Sequence, residues 1–172
     1  GNFKREQIDY DVQIIQYLYL TKGYIQAKVS EPEVSLSRDM RHVRISIRVH
    51  EGPKFTVGKV GIKGDSVVAV DKLLPKLKLK EGADFNYANV QADAQLLAGR
   101  QKEHGYAFAT VSNESVPDAK KRIVAWTYHV QKGKKVYFGR ILMVGASSTR
   151  DKVIRREIDI DEGEEKIVFT AS

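Results

Sequence analysis

Apolar residues alternate with polar ones over "VRISIRV" (43–49) and "VAWTYHV" (124–130). This two-residue period puts Val43, Ile45, Ile47 and Val49 on one face of a strand, and Val124, Trp126, Tyr128 and Val130 on one face of another. Two other stretches follow the 3.6-residue period of an amphipathic helix, with Ile8, Val12, Ile15 and Tyr19 in the first and Val90, Ala94, Leu97 and Gln101 in the second. Each ends in Gly-Tyr (Gly23-Tyr24 and Gly105-Tyr106), which reads as a left-handed helix stop followed by an aromatic anchor. A further strand is predicted over 55–63, with a bulge or bend at Gly58 where the apolar face passes from Phe55 and Val57 to Val60 and Ile62.

These elements come in duplicate. "EGPKFTVGKVGIKG" (51–64) and "KGKKVYFGRILMVG" (132–145) share four glycine and lysine positions at an offset of 81, and "TKGYIQAKVS" (21–30) matches "EHGYAFATVS" (103–112) at 82. A repeat this long is one supersecondary unit written more than once. In the complete unit a short helix is expected at about 67–78, capped by Asp65 or Ser66 and kinked or shortened by Pro75. Its counterpart in the next copy, "SSTRDKVIRREIDI", keeps Ile154 and Ile158 at the matching places. The resulting order is β-α-α-β-β. It predicts an α+β fold of tandem modules, each with two helices on one face of a three-stranded mixed sheet. The boundaries fall at 1–52 (helix two, strands two and three), 53–134 (a whole unit) and 135–172 (strand one and helix one).

Strands two and three pair as a hairpin, and strand three in the middle leaves strand two on an edge. An edge strand exposes backbone donors and acceptors that an extended client satisfies by adding a strand. The candidate binding residues are therefore Ile25, Gln26, Ala27, Lys28 and Val29 in one copy and Ala107, Phe108, Ala109, Thr110 and Val111 in the next. Ile25, Ala27 and Val29, or Ala107, Ala109 and Val111, point inward, and Phe108 is the one large apolar side chain expected to face a client. The units follow one another with almost no linker, so Gly52, Pro53 and Gly133 are expected as hinges of limited freedom.

Composition narrows the chemistry. With 29 basic and 22 acidic residues the net charge is +7, but the charges are interspersed and no basic tract exceeds "KKR". A mixed solvated surface fits this better than a dedicated polyanion site. Cysteine is absent, which removes disulfides and thiolate sites without fixing a compartment. His42, His50, His104 and His129 have no metal-ligand spacing, the Asp9/Asp11 and Asp159/Asp161 pairs suit surfaces better than acid–base work, and "GASSTR" (145–150) lacks the phosphate-loop form. No catalytic, cofactor or metal site is expected. No stretch approaches the ~18 apolar residues of a membrane helix, and the first twelve residues lack the apolar centre of a signal peptide. A basic nucleic-acid-binding repeat remains an alternative, although Trp126 and Tyr128 occupy positions that face inward.

The unit order, the strand-one pattern in "FTVGKVGIKG" and "VYFGRILMVG", the "KEGADF" step before helix two and the Gly-Tyr that closes it resemble the POTRA (polypeptide-transport-associated) repeats of outer-membrane assembly proteins of the BamA type. The resemblance spans essentially the whole chain. It implies an arm on the periplasmic side of the bacterial outer membrane, close to the membrane but not spanning it, with no enzymatic activity. The implied partners are unfolded outer-membrane protein chains and accessory lipoproteins of an assembly complex. POTRA modules of two-partner-secretion transporters or cell-division proteins are the nearer alternative. The complementary pieces at 1–52 and 135–172 also suggest head-to-tail self-association between copies.

Overall fold

The computed structural model describes residues 5–139 and, by backbone alone, the strands 142–145, 152–155, 158–161 and 164–167. The chain divides into two compact units, one of Gly1–Gly61, Leu77–Asp93 and Glu114–Thr127, the other of Ile62–Lys76, Ala94–Asn113 and Tyr128–Ser172.

The first unit begins with helix α1 (Arg5–Thr21), whose buried Ile8 and half-buried Val12, Ile15 and Tyr19 follow the expected stripe, with Gln16, Leu20 and Thr21 half-buried beside it. Strands β1 (Lys28–Val29) and β2 (Glu33–Leu36) return against β4 (Val49–His50) and β3 (Val43–Ser46) respectively, both antiparallel. The hairpin expected as two continuous strands is thus broken. Pro32 brings no N–H to the ladder, and the Ser30 hydroxyl accepts the Arg48 N–H at 2.9 Å where a backbone carbonyl would ordinarily do so. Further along the chain, Phe55, Val57, Leu77, Leu79, Phe85, Val90, Val124 and Trp126 are buried in this unit. The Asp93 carboxylate, 1% exposed, accepts the N–H groups of Lys78 (2.6 Å) and Leu79 (3.0 Å) and so ties the 77–80 segment to the second long helix.

Elements of the complete repeat follow in the expected order. They are β5 (Thr56–Gly64), α2 (Val70–Leu73) with a 3-10 turn at Leu74–Lys76, α3 (Tyr87–Glu103), β6 (Thr110–Asp118) and β7 (Ile123–Gln131). Their sheet order is β5-β7-β6. Backbone bonds from Thr56 N–H to Arg122 O and from Asp65 N–H to Val130 O make β5 and β7 parallel. Between those bonds β5 advances one residue more than β7, which moves the buried face from Phe55 and Val57 to Ile62.

In the second unit Ile62, Leu73, Leu97, Ala109, Tyr128 and Val130 are buried, together with Gln101. Gln101 Oε1 accepts the Val67 N–H at 2.8 Å and its Nε2 donates to Ser66 Oγ at 2.8 Å. The expected cap of α2 is therefore corrected. Ser66 is held by Gln101, Asp65 accepts the Lys132 N–H at 2.9 Å, and the helix starts only after Ala69, with no side-chain cap bond. Pro75 shortens it as expected, since the α-helical turns end at Leu73.

In the third copy strand one is present as β8 (Val136–Phe138) and β9 (Leu142–Gly145), but among the described residues no helix follows where one was expected. Strand β10 (Lys152–Arg155) pairs antiparallel with β9, and β11 (Ile158–Asp161) pairs antiparallel with β12 (Glu164–Ile167), which in turn runs parallel to β8. Val153, Ile154, Ile158 and Ile160 are β-branched and "IDID" alternates at period two, so local pairing competes well with a short helix, whose stability comes mostly from tertiary packing. The rest of the expected helix, 146–151 and 156–157, lies outside the described residues.

Candidate functional site

Strand β6 lies on the outside of its sheet. Of its nine residues only Val111 is half-buried and the others are exposed, including Val116 at 61%. Pro117 sits within it, which a sheet tolerates on an edge, where a missing N–H need not break a ladder.

The approach to this edge is the same in both copies. Tyr24 N–H bonds to Tyr19 O (3.0 Å) and Gly23 N–H to Leu20 O (3.3 Å), while Tyr106 N–H bonds to Gln101 O (3.1 Å) and Gly105 N–H to Lys102 O (3.0 Å). These are paired Schellman stops, with φ of +93° at Gly23 and +92° at Gly105. Each is followed by a turn closed by Ala27 N–H to Tyr24 O and Ala109 N–H to Tyr106 O, both 3.2 Å. The expected edge residues therefore separate. Ile25, Gln26, Ala107 and Phe108 lie in the turns, Ala27 and Ala109 are buried at the turn ends, and Lys28, Val29, Thr110 and Val111 are in strands. Ala107 is exposed, contrary to the inward position expected from alternation, because the turn interrupts the pleat.

In the first copy the edge segment before the break is only the two residues of β1, with a shallow groove of about 530 Å³ beside it lined by Gln26, Lys28, His50, Gly52 and Pro53 among others. In the second copy the strand runs on to Asp118, seven residues past Val111, the last of the expected edge residues. The polar run "SNESVPD" (112–118) is thus strand. The loop is only the turn at 119–122, where the Asp118 carboxylate accepts the N–H groups of Lys120 and Lys121 and Arg122 takes φ +54°.

The repeated residues also build a repeated joint. Phe55 N–H donates to Gly23 O at 2.9 Å and Val136 N–H to Gly105 O at 2.6 Å, so each helix stop is bonded to the start of the next strand one. Gly52 (φ +68°) packs with its Cβ position 3.5 Å from Gln26 Cβ, and Gly133 (φ +71°) with its own 3.7 Å from Phe108 O.

Residues 1–52 and 55–133 match the POTRA family model, described as surface antigen variable number repeat. The chain belongs to the POTRA family. Among its relatives are the outer membrane protein assembly factors BamA of Nitratidesulfovibrio vulgaris (33% identical, covering 95% of this chain and 21% of that protein) and of Neisseria meningitidis (29% identical, 92% and 20%). This POTRA chain thus spans about a fifth of the length of those relatives. Its fold is that of the Haemophilus influenzae BamA POTRA3-5 crystal structure, with a TM-score of 0.74 at 20% identity over 98% of this chain and 81% of the other. A Haemophilus ducreyi BamA structure lacking POTRA domains 1-3 aligns at TM-score 0.61 and 20% identity, over 76% of this chain and 24% of that one.

Among the described residues of these POTRA repeats, no group of three or more His, Cys, Asp or Glu could hold a metal ion, and no helix is long and apolar enough to cross a membrane. The aromatic residues of strand three are not a stacking platform, because Tyr128 is fully buried and Trp126 packs against Phe85 with ring centroids 5.3 Å apart.

Proposed function

We propose that this chain is part of the periplasmic arm of an outer-membrane β-barrel assembly factor and holds unfolded outer-membrane protein chains by strand addition to β6. The observation that carries the proposal is the long exposed edge of β6 in a sheet whose central strand is β7. Backbone bonding gives affinity with little demand on sequence, which suits a factor that handles many clients. Ala27 to Val29 and Ala109 to Val111 mark where such a strand would begin in each copy, and accessory lipoproteins are the second class of partner for the same edges. Gly52, Pro53 and Gly133 are the pivots between successive modules, limited by the bonds at Gly23 and Gly105. The BamA relatives favour this reading over a two-partner-secretion or cell-division role. The buried Trp126 and Tyr128 weigh against a nucleic-acid-binding sheet.

Titration of the chain with an unfolded barrel-strand peptide, followed by amide shifts, tests the reading. Shifts concentrated in 110–118 are expected. Scattered shifts, or none at millimolar peptide, refute it.

A further inference from the structure

The two joints fold alike, so each serves as a control on the other. Residues common to both, the four glycines, Lys54/Lys135 and the apolar pair Phe55/Val136, are what the joint requires. The exposed or half-buried positions around them diverge together. Gln26, Glu51, Pro53 and Thr56 at the first joint correspond to Phe108, Lys132, Lys134 and Tyr137 at the second. Phe108 leaves 54% of its surface and Tyr137 37% in water. The first joint closes the same turn with a glutamine, so the exposed phenylalanine is not needed for the fold.

Two of the lysines of this joint lie over tyrosine rings. Lys132 Nζ stands 5.1 Å from the centroid of the Tyr106 ring and Lys135 Nζ 5.0 Å from that of Tyr137, within cation–π range. The main-chain carbonyl and Cβ of Phe108 lie within 4 Å of the Cβ position of Gly133, which stands between Lys132 and Lys134 in the chain. Glu103 is paired with Arg100 at 3.0 Å, and the Asp65 carboxylate, which accepts the Lys132 N–H, offsets one of the three lysine charges and leaves an excess of positive charge. The result is an exposed apolar side chain whose backbone runs beside the lysine-bearing 132–135 segment at the place where β6 begins.

We propose that the second joint is a docking surface for an extended acidic peptide segment carrying a large apolar side chain, with carboxylates on Lys132, Lys134 and Lys135 and the apolar group on Phe108. A peptide is favoured over a lipid surface or nucleic acid because the patch continues directly into the β6 edge. The course of the partner beyond the joint rests on the strand-addition reading, whereas the anchor does not.

The test compares three fluorescent peptides with one Thr/Val-rich strand core, tagged at one end with Glu-Glu-Phe, with Lys-Lys-Phe or left bare. The Glu-Glu-Phe peptide should bind about tenfold tighter than the bare one, an advantage that fades with salt, since a few exposed ion pairs contribute at most about this much. Phe108→Gln, which installs the residue of the first joint, should remove most of the advantage while melting stays unchanged, and Lys132→Glu with Lys135→Glu should shift preference to the Lys-Lys-Phe peptide. Equal binding of tagged and bare peptides, with shifts in 110–118, overturns the docking surface and leaves strand addition standing. Tighter Glu-Glu-Phe binding without shifts in 110–118 keeps the docking surface and removes strand addition. No binding of any peptide, or loss of binding to anionic phosphatidylglycerol vesicles alone in Phe108→Gln, overturns the proposal.

Discussion

Replacing Gly64 by alanine would bring a methyl group to 2.0 Å from the Val130 carbonyl oxygen, with a backbone φ of +103° that L-residues rarely adopt. The positive φ costs about 1–2 kcal/mol. Moving strand backbone to make room, rather than the end of a flexible side chain, adds about 1–3 kcal/mol. The sum, roughly 2–5 kcal/mol, is a large part of the ~5–15 kcal/mol that holds a typical domain together. Two other glycines separate the contributions. Gly82 has φ +85° with nothing within 4 Å of its Cβ position, so Gly82→Ala carries the conformational cost alone, about 1–2 kcal/mol. Gly99, in α3, has open space and no positive φ, so Gly99→Ala stabilises by about 0.5–1 kcal/mol. Trp126 is the chain's single tryptophan and is 8% exposed, so its fluorescence during urea unfolding reports the complete repeat specifically. The expected order of stability is Gly99→Ala, parent, Gly82→Ala, Gly64→Ala. If Gly64→Ala and Gly82→Ala unfold within about 0.5 kcal/mol of each other, the close approach of β5 to β7 at this point is wrong.

Gln101→Leu should destabilise the complete repeat by about 0.5–1.5 kcal/mol, because it strips the part-buried Val67 N–H of its acceptor and the Ser66 hydroxyl of a donor. The Val67 amide should then exchange with solvent faster, and unchanged protection would show that the bond is dispensable. In the first hairpin the Ser37 hydroxyl, and after it the Arg41 N–H, hold the Asp39 carboxyl below its ordinary value of 3.8. A group whose folded pKa is depressed supports the structure above its ordinary value, and that support is lost as pH falls through the lower folded value. The 37–42 turn should therefore keep its order above pH 3.8 and loosen on further acidification. A carboxyl NMR titration of Asp39 with its midpoint at or above 3.8 would contradict this.

What could be read from the sequence was whatever neighbouring residues specify together. The helix stops at Gly23 and Gly105, the period of α1 and the strand-three alternation at 124–130 are local patterns, and duplication at an offset of 81 set the unit and its order. The edge position of strand two followed from that order, since a hairpin plus one parallel partner leaves few arrangements. The stripe position of Gln101 followed from the period, but the burial of Asp93 and the bonds that hold both polar groups in place were not legible, because other segments present the backbone N–H groups that they accept. The length of β6 was hidden for a related reason. A strand with little to bury shows no alternation, and "SNESVPD" becomes strand only because β7 supplies its hydrogen bonds. The same holds for the break at Ser30–Pro32 and for the pairing of Lys152–Arg155, where a locally plausible strand or helix yielded to the partners within reach. Period and glycine stops come from one stretch of chain acting on itself, whereas satisfaction of buried or edge backbone groups depends on residues far apart in sequence, and only the folded chain brings those together.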